Sequence, residues 1–277
     1  MQFGWWETSV LALALNVLAV SIPGRFDADR DVLTKSPWPT LFNPAGFAFA
    51  IWGVIYIGEV AGLIHLKFAE PSQASSRVAD SNDFWILANV AQSLWCVTFR
   101  PYFLNRLWLS AMMLSATAGC LFLAVCRANG MGGASTPQGW LTGLLSAGSD
   151  PLPPGSGWFH LLVCVPRELH LGWITAATLV NLNAWVGLSQ PGAATVLAAV
   201  ILSIAAAALC SALYLHVQAP AASLAVAWAL FSLSRGKPVG VDAVSLGGAT
   251  LAGIAKAEAA AAATILGSVA LALFMRF

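Results

Sequence analysis

Residues 36–56 read Ser36-Pro37-Trp38-Pro39-Thr40-Leu41-Phe42-Asn43-Pro44-Ala45-Gly46-Phe47-Ala48-Phe49-Ala50-Ile51-Trp52-Gly53-Val54-Ile55-Tyr56. A loop rich in Pro and Trp runs directly into an apolar stretch of membrane-spanning length. Within it Phe49, Trp52, Tyr56 and Glu59 follow one another at steps of three, four and three residues. On a helix that spacing places three aromatic rings and one carboxylate on a single face. Lipid has no use for such a face, so it is expected to look into a helix bundle or a ligand cavity.

Composition sets the solvent. Of 277 residues 58% are apolar and only 9% charged, against about 25% charged in an ordinary soluble domain. The chain therefore predicts an all-α, polytopic transmembrane bundle, because helices satisfy their own backbone groups in lipid. A net charge of +1 gives no electrostatic reason to expect nucleic acid as a partner. The five cysteines (Cys96, Cys120, Cys126, Cys164, Cys210) form no C-x-x-C pair and read as small core residues rather than as disulfides or metal ligands. The N-terminal region carries Glu7 and no Lys or Arg before its apolar run, so residues 5–23 read as a retained span rather than a signal peptide.

A bilayer core of about 30 Å calls for about 20 helical residues. Runs of that order fall at 5–23, 44–66, 84–100, 106–127, 168–188, 193–216 and 257–275, and the shorter 219–234 is an eighth candidate. Pro44, Pro166 and Pro220 suit first-turn positions. Two long connections are expected: residues 24–43, a mixed-charge solvated stretch, and residues 128–167, rich in Gly, Pro and Ser, with Trp140 and Trp158 as interfacial anchors. Lys and Arg divide seven to six between the two sides of an eight-span topology, which gives no orientation. The chain divides at residue 190, into 1–190 and a C-terminal helical part, 191–277.

Three helices share one pattern, Trp with a carboxamide at helical spacing. The second carries Phe49, Trp52, Tyr56 and Glu59; the third Trp85, Asn89, Gln92, Trp95 and Phe99; the fifth Trp173, Ala177, Asn181 and Trp185. Carboxamides in a bilayer commonly bond between helices, and they also serve as orienting contacts in aromatic-walled pockets. Both readings stand at this point. Glu59, deep in a span, is a proton-site candidate by its cost alone, with a neutral helix-bonding Glu as the rival. Lys256 and Glu258 read as interfacial, and His170 as structural. Gly58-x-x-x-Gly62 permits close helix approach, in a dimer or within the bundle. The alanine runs 205–208 and 259–263 suggest faces packed against protein.

Trp38-Pro39, Trp52-x-x-x-Tyr56 with Gly58, Gln92-x-x-Trp95-x-x-x-Phe99 and Trp173-x-x-x-Ala177-x-x-x-Asn181-x-x-x-Trp185 resemble the TspO/MBR family, the tryptophan-rich sensory and translocator proteins. Leu169 to Asn181 is the most specific match, and the resemblance covers roughly residues 5–188. It implies a five-helix core enclosing a hydrophobic pocket capped by the first loop, with two or three extra C-terminal helices here. It also implies binding of porphyrins or other flat apolar ligands. Carried over by motif, Trp38, Trp52, Trp95, Phe99, Trp173, Ala177 and Asn181 are pocket residues; Phe49, Tyr56 and Gln92 join them on the same helix faces. Compact members have Asn where Gln92 stands, and no Tyr or Lys/Arg follows Trp185 before Pro191, so the family's sterol-recognition pattern is missing.

The expectation is a multi-pass membrane protein, without a required cofactor, that binds a porphyrin or tetrapyrrole in sensing, sequestration or transport. No nucleophile–base pair argues for an enzyme. Lipid and the hydrophobic ligand are the expected partners, with a homodimer or larger membrane complex as further associations. The alternatives are an accessory subunit of such a complex and a transporter with Glu59 as its proton-coupled site.

Overall fold

The computed structural model describes residues 4–27, 37–131, 157–190, 192–240 and 246–275. Among them are eight helices of 14 to 27 residues: α1 (Trp5–Ser21), α2 (Ile51–Phe68), α3 (Gln73–Thr98), α4 (Leu107–Ala128), α5 (Val165–Ser189), α6 (Ala193–His216), α7 (Pro220–Leu233) and α8 (Gly248–Phe274). A 3-10 turn, Gly46–Ala50, leads into α2, and another, Pro101–Arg106, leads into α4. A helical turn and a π-helical segment, His160–Cys164, lead into α5. The described residues form no β-strand, only one isolated bridge between Thr40 and Val239.

Helix α5 is the axis. It packs on α2, α4, α6 and α7, while α3 lies between α1 and α4, and α8 covers α7 and α6. Its burial follows from small residues at the crossings. A Cβ on Gly172 would overlap the carbonyl of Ala222 in α7. Glu168 Oε2 accepts from Ala221 N (3.1 Å), which places a carboxylate on the orphan amides and positive end of α7. Side chains tie α5 to α6 as well, through Thr175 Oγ1 and Tyr214 OH (2.6 Å) and through Asn183 Nδ2 donating to Ser203 Oγ (2.7 Å).

Several boundaries differ from the sequence reading, each for a local reason. Helix α3 starts at Gln73, not 84, because Ser72 and Ser75 form a reciprocal capping box that launches a polar first stretch. Helix α8 starts at Gly248, not 257, and the connection before α5 is helical from Gly157. Pro44 precedes the helix rather than sitting in its first turn, since the 3-10 turn begins at Gly46. Trp140 and Pro191 lie outside the described residues; Trp158 is exposed.

The loop before α2 is not a solvated stretch where it is described. Arg25 is buried and paired with Asp27 (2.8 Å), and it also donates to the carbonyl of Val20. Trp38, Thr40, Leu41 and Phe42 are buried too. Glu258 is only 2% exposed; the earlier start of α8 carries it nearly three turns into the helix, so it is not interfacial, whereas Lys256 is exposed. The alanine runs face protein only in part: Ala207 and Ala262 point inward while Ala205, Ala208, Ala259, Ala260 and Ala263 are exposed. Gly58 and Gly62 serve the bundle itself, since a Cβ would meet Pro166 at 2.7 Å and the Leu162 carbonyl at 2.6 Å respectively.

The α5–α7 crossing yields a direct test. Gly172→Val inserts a branched side chain where a backbone carbonyl already lies, and overpacking of this kind costs about 1–3 kcal/mol. Thermal unfolding in detergent should move down by several degrees. An unchanged transition would show that α7 is not seated on α5 as described.

Candidate functional site

The aromatic face of α2 opens onto a partly open apolar cavity. Eight aromatic side chains line it. Phe49 and Trp52 come from the α2 region, Trp95 and Phe99 from the end of α3, Trp173 from α5, and Phe26, Trp38 and Phe42 from the first loop. Ala177 and Asn181 lie on the α5 wall with Ala176 and Val180, and Ala229 and Leu233 of α7 close the far side. The rings pack mainly edge to face or stacked: Phe26 on Trp38 (4.9 Å), Phe49 on Trp173 (5.7 Å), and Trp95 stacked on Phe99 (5.3 Å). Such contacts add to burial and hold ring orientations.

Of the ten residues read as pocket-lining, Trp38, Phe49, Trp52, Trp95, Phe99, Trp173, Ala177 and Asn181 border this cavity. Tyr56 and Gln92 do not. They lie one turn deeper, below Trp52, whose indole stacks on Tyr56 (5.2 Å). Gln92 donates to Tyr56 OH (3.1 Å) and receives His170 Nε2 on its Oε1 (2.7 Å), while Tyr56 donates to Asn16 of α1 (2.8 Å). Glu59 is deeper still. Its Oε1 accepts from Trp85 Nε1 (3.1 Å) and faces His170 Nδ1 (2.9 Å). Spacing along α2 placed these groups on one face, but the cavity floor is Trp52, which packs on His170 of another helix, and spacing does not reveal that depth. Trp185, the last member of the α5 pattern, is 39% exposed and takes no part.

Asn181 borders the cavity with its carboxamide committed to protein. Oδ1 accepts from Ser110 (2.6 Å) and Trp95 (3.3 Å), and Nδ2 donates to Ala177 O (3.0 Å). It locks α3, α4 and α5 together, which is the interhelical role of carboxamides in lipid. The other polar liners are also engaged: Asp27 with Arg25, Thr40 with Phe42 N, and Asn43 with Lys237 O. The indole N–H of Trp173 differs, being buried with no hydrogen-bond partner among the described residues.

The first loop caps the cavity because the C-terminal part holds it. Thr40 and Val239 exchange both backbone bonds (2.8 and 2.9 Å), and Ala45 N donates to Ser232 O (3.1 Å). Three glycines allow the approach. A Cβ on Gly187 would overlap the carbonyl of Pro39, one on Gly236 would overlap that of Asn43, and Gly240, at φ +63°, lies against Pro39. Phe26, Phe42, Ala229 and Leu233 therefore belong to the site although no periodicity marks them; the Gly and Pro punctuation at 236–240 was the available signal.

A sequence profile of the TSPO-like protein family matches residues 5–269. The chain belongs to the TSPO-like family, and the match extends beyond the 5–188 on which the resemblance was read. No curated protein and no solved structure matches the chain significantly. Among the described residues, five helical segments are long and apolar enough to cross a membrane: Gly46–Phe68, Pro101–Ala128, Gly157–Ser189, Ala193–His216 and Gly248–Phe274. Together with the family this makes the chain a multi-pass integral membrane protein. The shorter apolar helices α1 and α7 pack against them.

The loop clamp is testable through Gly187. Gly187→Ala forces Pro39 away from α5, so residues 37–45 should be cut faster by protease in mild detergent, with a stability loss of about 1–3 kcal/mol. Cleavage and stability equal to the unsubstituted protein would remove the clamp from the account.

Proposed function

We propose that this protein binds a flat hydrophobic ligand of the porphyrin or tetrapyrrole class in the aromatic cavity, and that it acts in sensing, sequestration or transport rather than as an enzyme. The cavity carries the reading. It is an apolar space between helices and loop walled by eight aromatic side chains, the kind of lining small-molecule sites have. Its walls are rings able to stack on or meet the edges of a flat conjugated ligand.

The Trp173 N–H supports the class further. A buried donor left unpaired costs about 1–3 kcal/mol, and a ligand acceptor (a carboxylate, a carbonyl or a ring nitrogen) offsets that cost. Asp27, Thr40, Asn43 and Asn181 of the wall are already bonded to protein, so orientation would come from the Trp173 donor and from ring shape.

The check is a titration of purified protein with protoporphyrin IX, read by tryptophan fluorescence. Saturable quenching is expected. Trp173→Phe keeps the ring and removes the donor, so affinity should fall by about 2–10-fold, the equivalent of one net hydrogen bond. Trp52→Ala removes a wall and should weaken binding further. Absence of saturable quenching, or equal affinity in all three proteins, would reject the cavity as the porphyrin site.

A further inference from the structure

Behind the cavity floor runs a buried hydrogen-bonded chain whose polarity can be read from one end. Asn16 Nδ2 donates to the main-chain carbonyl of Asn89 (3.2 Å), an atom that can only accept. Asn16 therefore presents Oδ1 to Tyr56, whose hydroxyl must donate to it. The Tyr56 oxygen then accepts from Gln92 Nε2, which turns Gln92 Oε1 toward His170 Nε2. Each carboxamide and hydroxyl has one arrangement that satisfies both neighbours. The result is that His170 Nε2 carries a hydrogen.

The opposite end of the ring faces a carboxylate. His170 Nδ1 lies 2.9 Å from Glu59 Oε1, and both side chains are fully buried. With Nε2 protonated, a bare Nδ1 against an ionised carboxylate would set two lone pairs at hydrogen-bond distance in a low-dielectric interior. A proton must lie in that contact, on the imidazole or on the carboxyl.

Glu59 also borders a second, small cavity with about 10 Å³ of space, room for about one water, together with Arg167, Trp85 and Gly62. Glu59 Oε2 has no protein partner among the described residues. Arg167 is buried, donates to Ser81 Oγ (3.3 Å) and lies over the Trp85 ring (5.0 Å). A space flanked by a carboxylate and a guanidinium meets the polarity requirement for buried water.

We propose that Glu59 and His170 form a one-proton binding site that exchanges with water in the Arg167 cavity. When loaded, the pair is neutral and Arg167 contributes the cluster's single positive charge. On release, the proton passes to water, His170 remains neutral with Nε2–H on Gln92, and the Glu59 carboxylate turns away from the bare Nδ1 toward Arg167. The π-helical segment His160–Cys164 sits beside this cavity through Val163, and such segments recur at functional sites. The site lies one ring from the ligand cavity, since Trp52 meets His170 edge to face (5.7 Å). It does not depend on what the cavity binds.

The groups facing the pair are few. Helix α2 supplies Tyr56, and α3 supplies Trp85 and Gln92, with Cys96 and, from the first loop, Arg25 acting on Tyr56 from further off. Helix α5 supplies Arg167, and the π-helical segment Cys164, which acts on Arg167. Helix α1 contributes the neutral Asn16.

The test uses the full chain in lipid nanodiscs, with His65→Asn, His160→Asn and His216→Asn making His170 the sole histidine, labelled with ¹⁵N in the ring. Nε2 is expected to be protonated throughout, and the ring is expected to show one titration step. Adding Glu59→Gln, which replaces the proton with an amide donor, should keep the Nε2–H and abolish the step. A bare Nε2 with Nδ1 protonated, no step over the pH range in which the protein stays folded, or a step unchanged by Glu59→Gln would each overturn the proposal.

Discussion

The contact on which the architecture depends is the bridging of Glu59 and Gln92 by His170. It joins α2, α3 and α5 at one buried point, and Tyr56 and Asn16 extend it to α1. In lipid the apolar faces of helices gain little from meeting one another, so packing and interhelical hydrogen bonds must specify the bundle. A polar chain satisfied in one arrangement does this well, because every slip of register strands several buried donors at once. Asn181 repeats the device at the cavity level, joining α3, α4 and α5.

Small residues complete what the polar contacts begin. Gly172 brings α5 onto α7, Gly62 admits the π-helical segment, and Gly187 and Gly236 admit the capping loop. These contacts explain why the C-terminal helices belong to the site. Helix α7 supplies part of the wall, and residues 236–240 hold the loop that closes the cavity. Any function of the cavity thus depends on residues well beyond the five N-terminal helices.

Much of this was legible in the sequence. The aromatic stripes on α2, α3 and α5 were visible because helical spacing alone places Phe49, Trp52, Trp95, Phe99 and Trp173 on common faces. What escaped were relations between distant residues. Tyr56 and Gln92 share those faces but fall below the floor, because depth is decided by where α5 crosses. His170 looked structural because its partners lie 111 and 78 positions away. Phe26, Phe42, Ala229 and Leu233 join the wall from loop and C-terminal segments without periodic signature. Glu258 was misplaced because Gly248, Gly253 and Lys256 in the first turns of α8 hid a longer helix.

One cavity, walled by α2, α3, α5 and α7 and capped by the first loop, is the proposed ligand site. Hydrogen–deuterium exchange of the protein in nanodiscs, with and without protoporphyrin IX, tests it most directly. Residues 37–45 and 232–240 are expected to become protected together, because loop and clamp close over the ligand as one unit. Protection confined to the lipid-facing helices α6 and α8, or none at the loop, would contradict it.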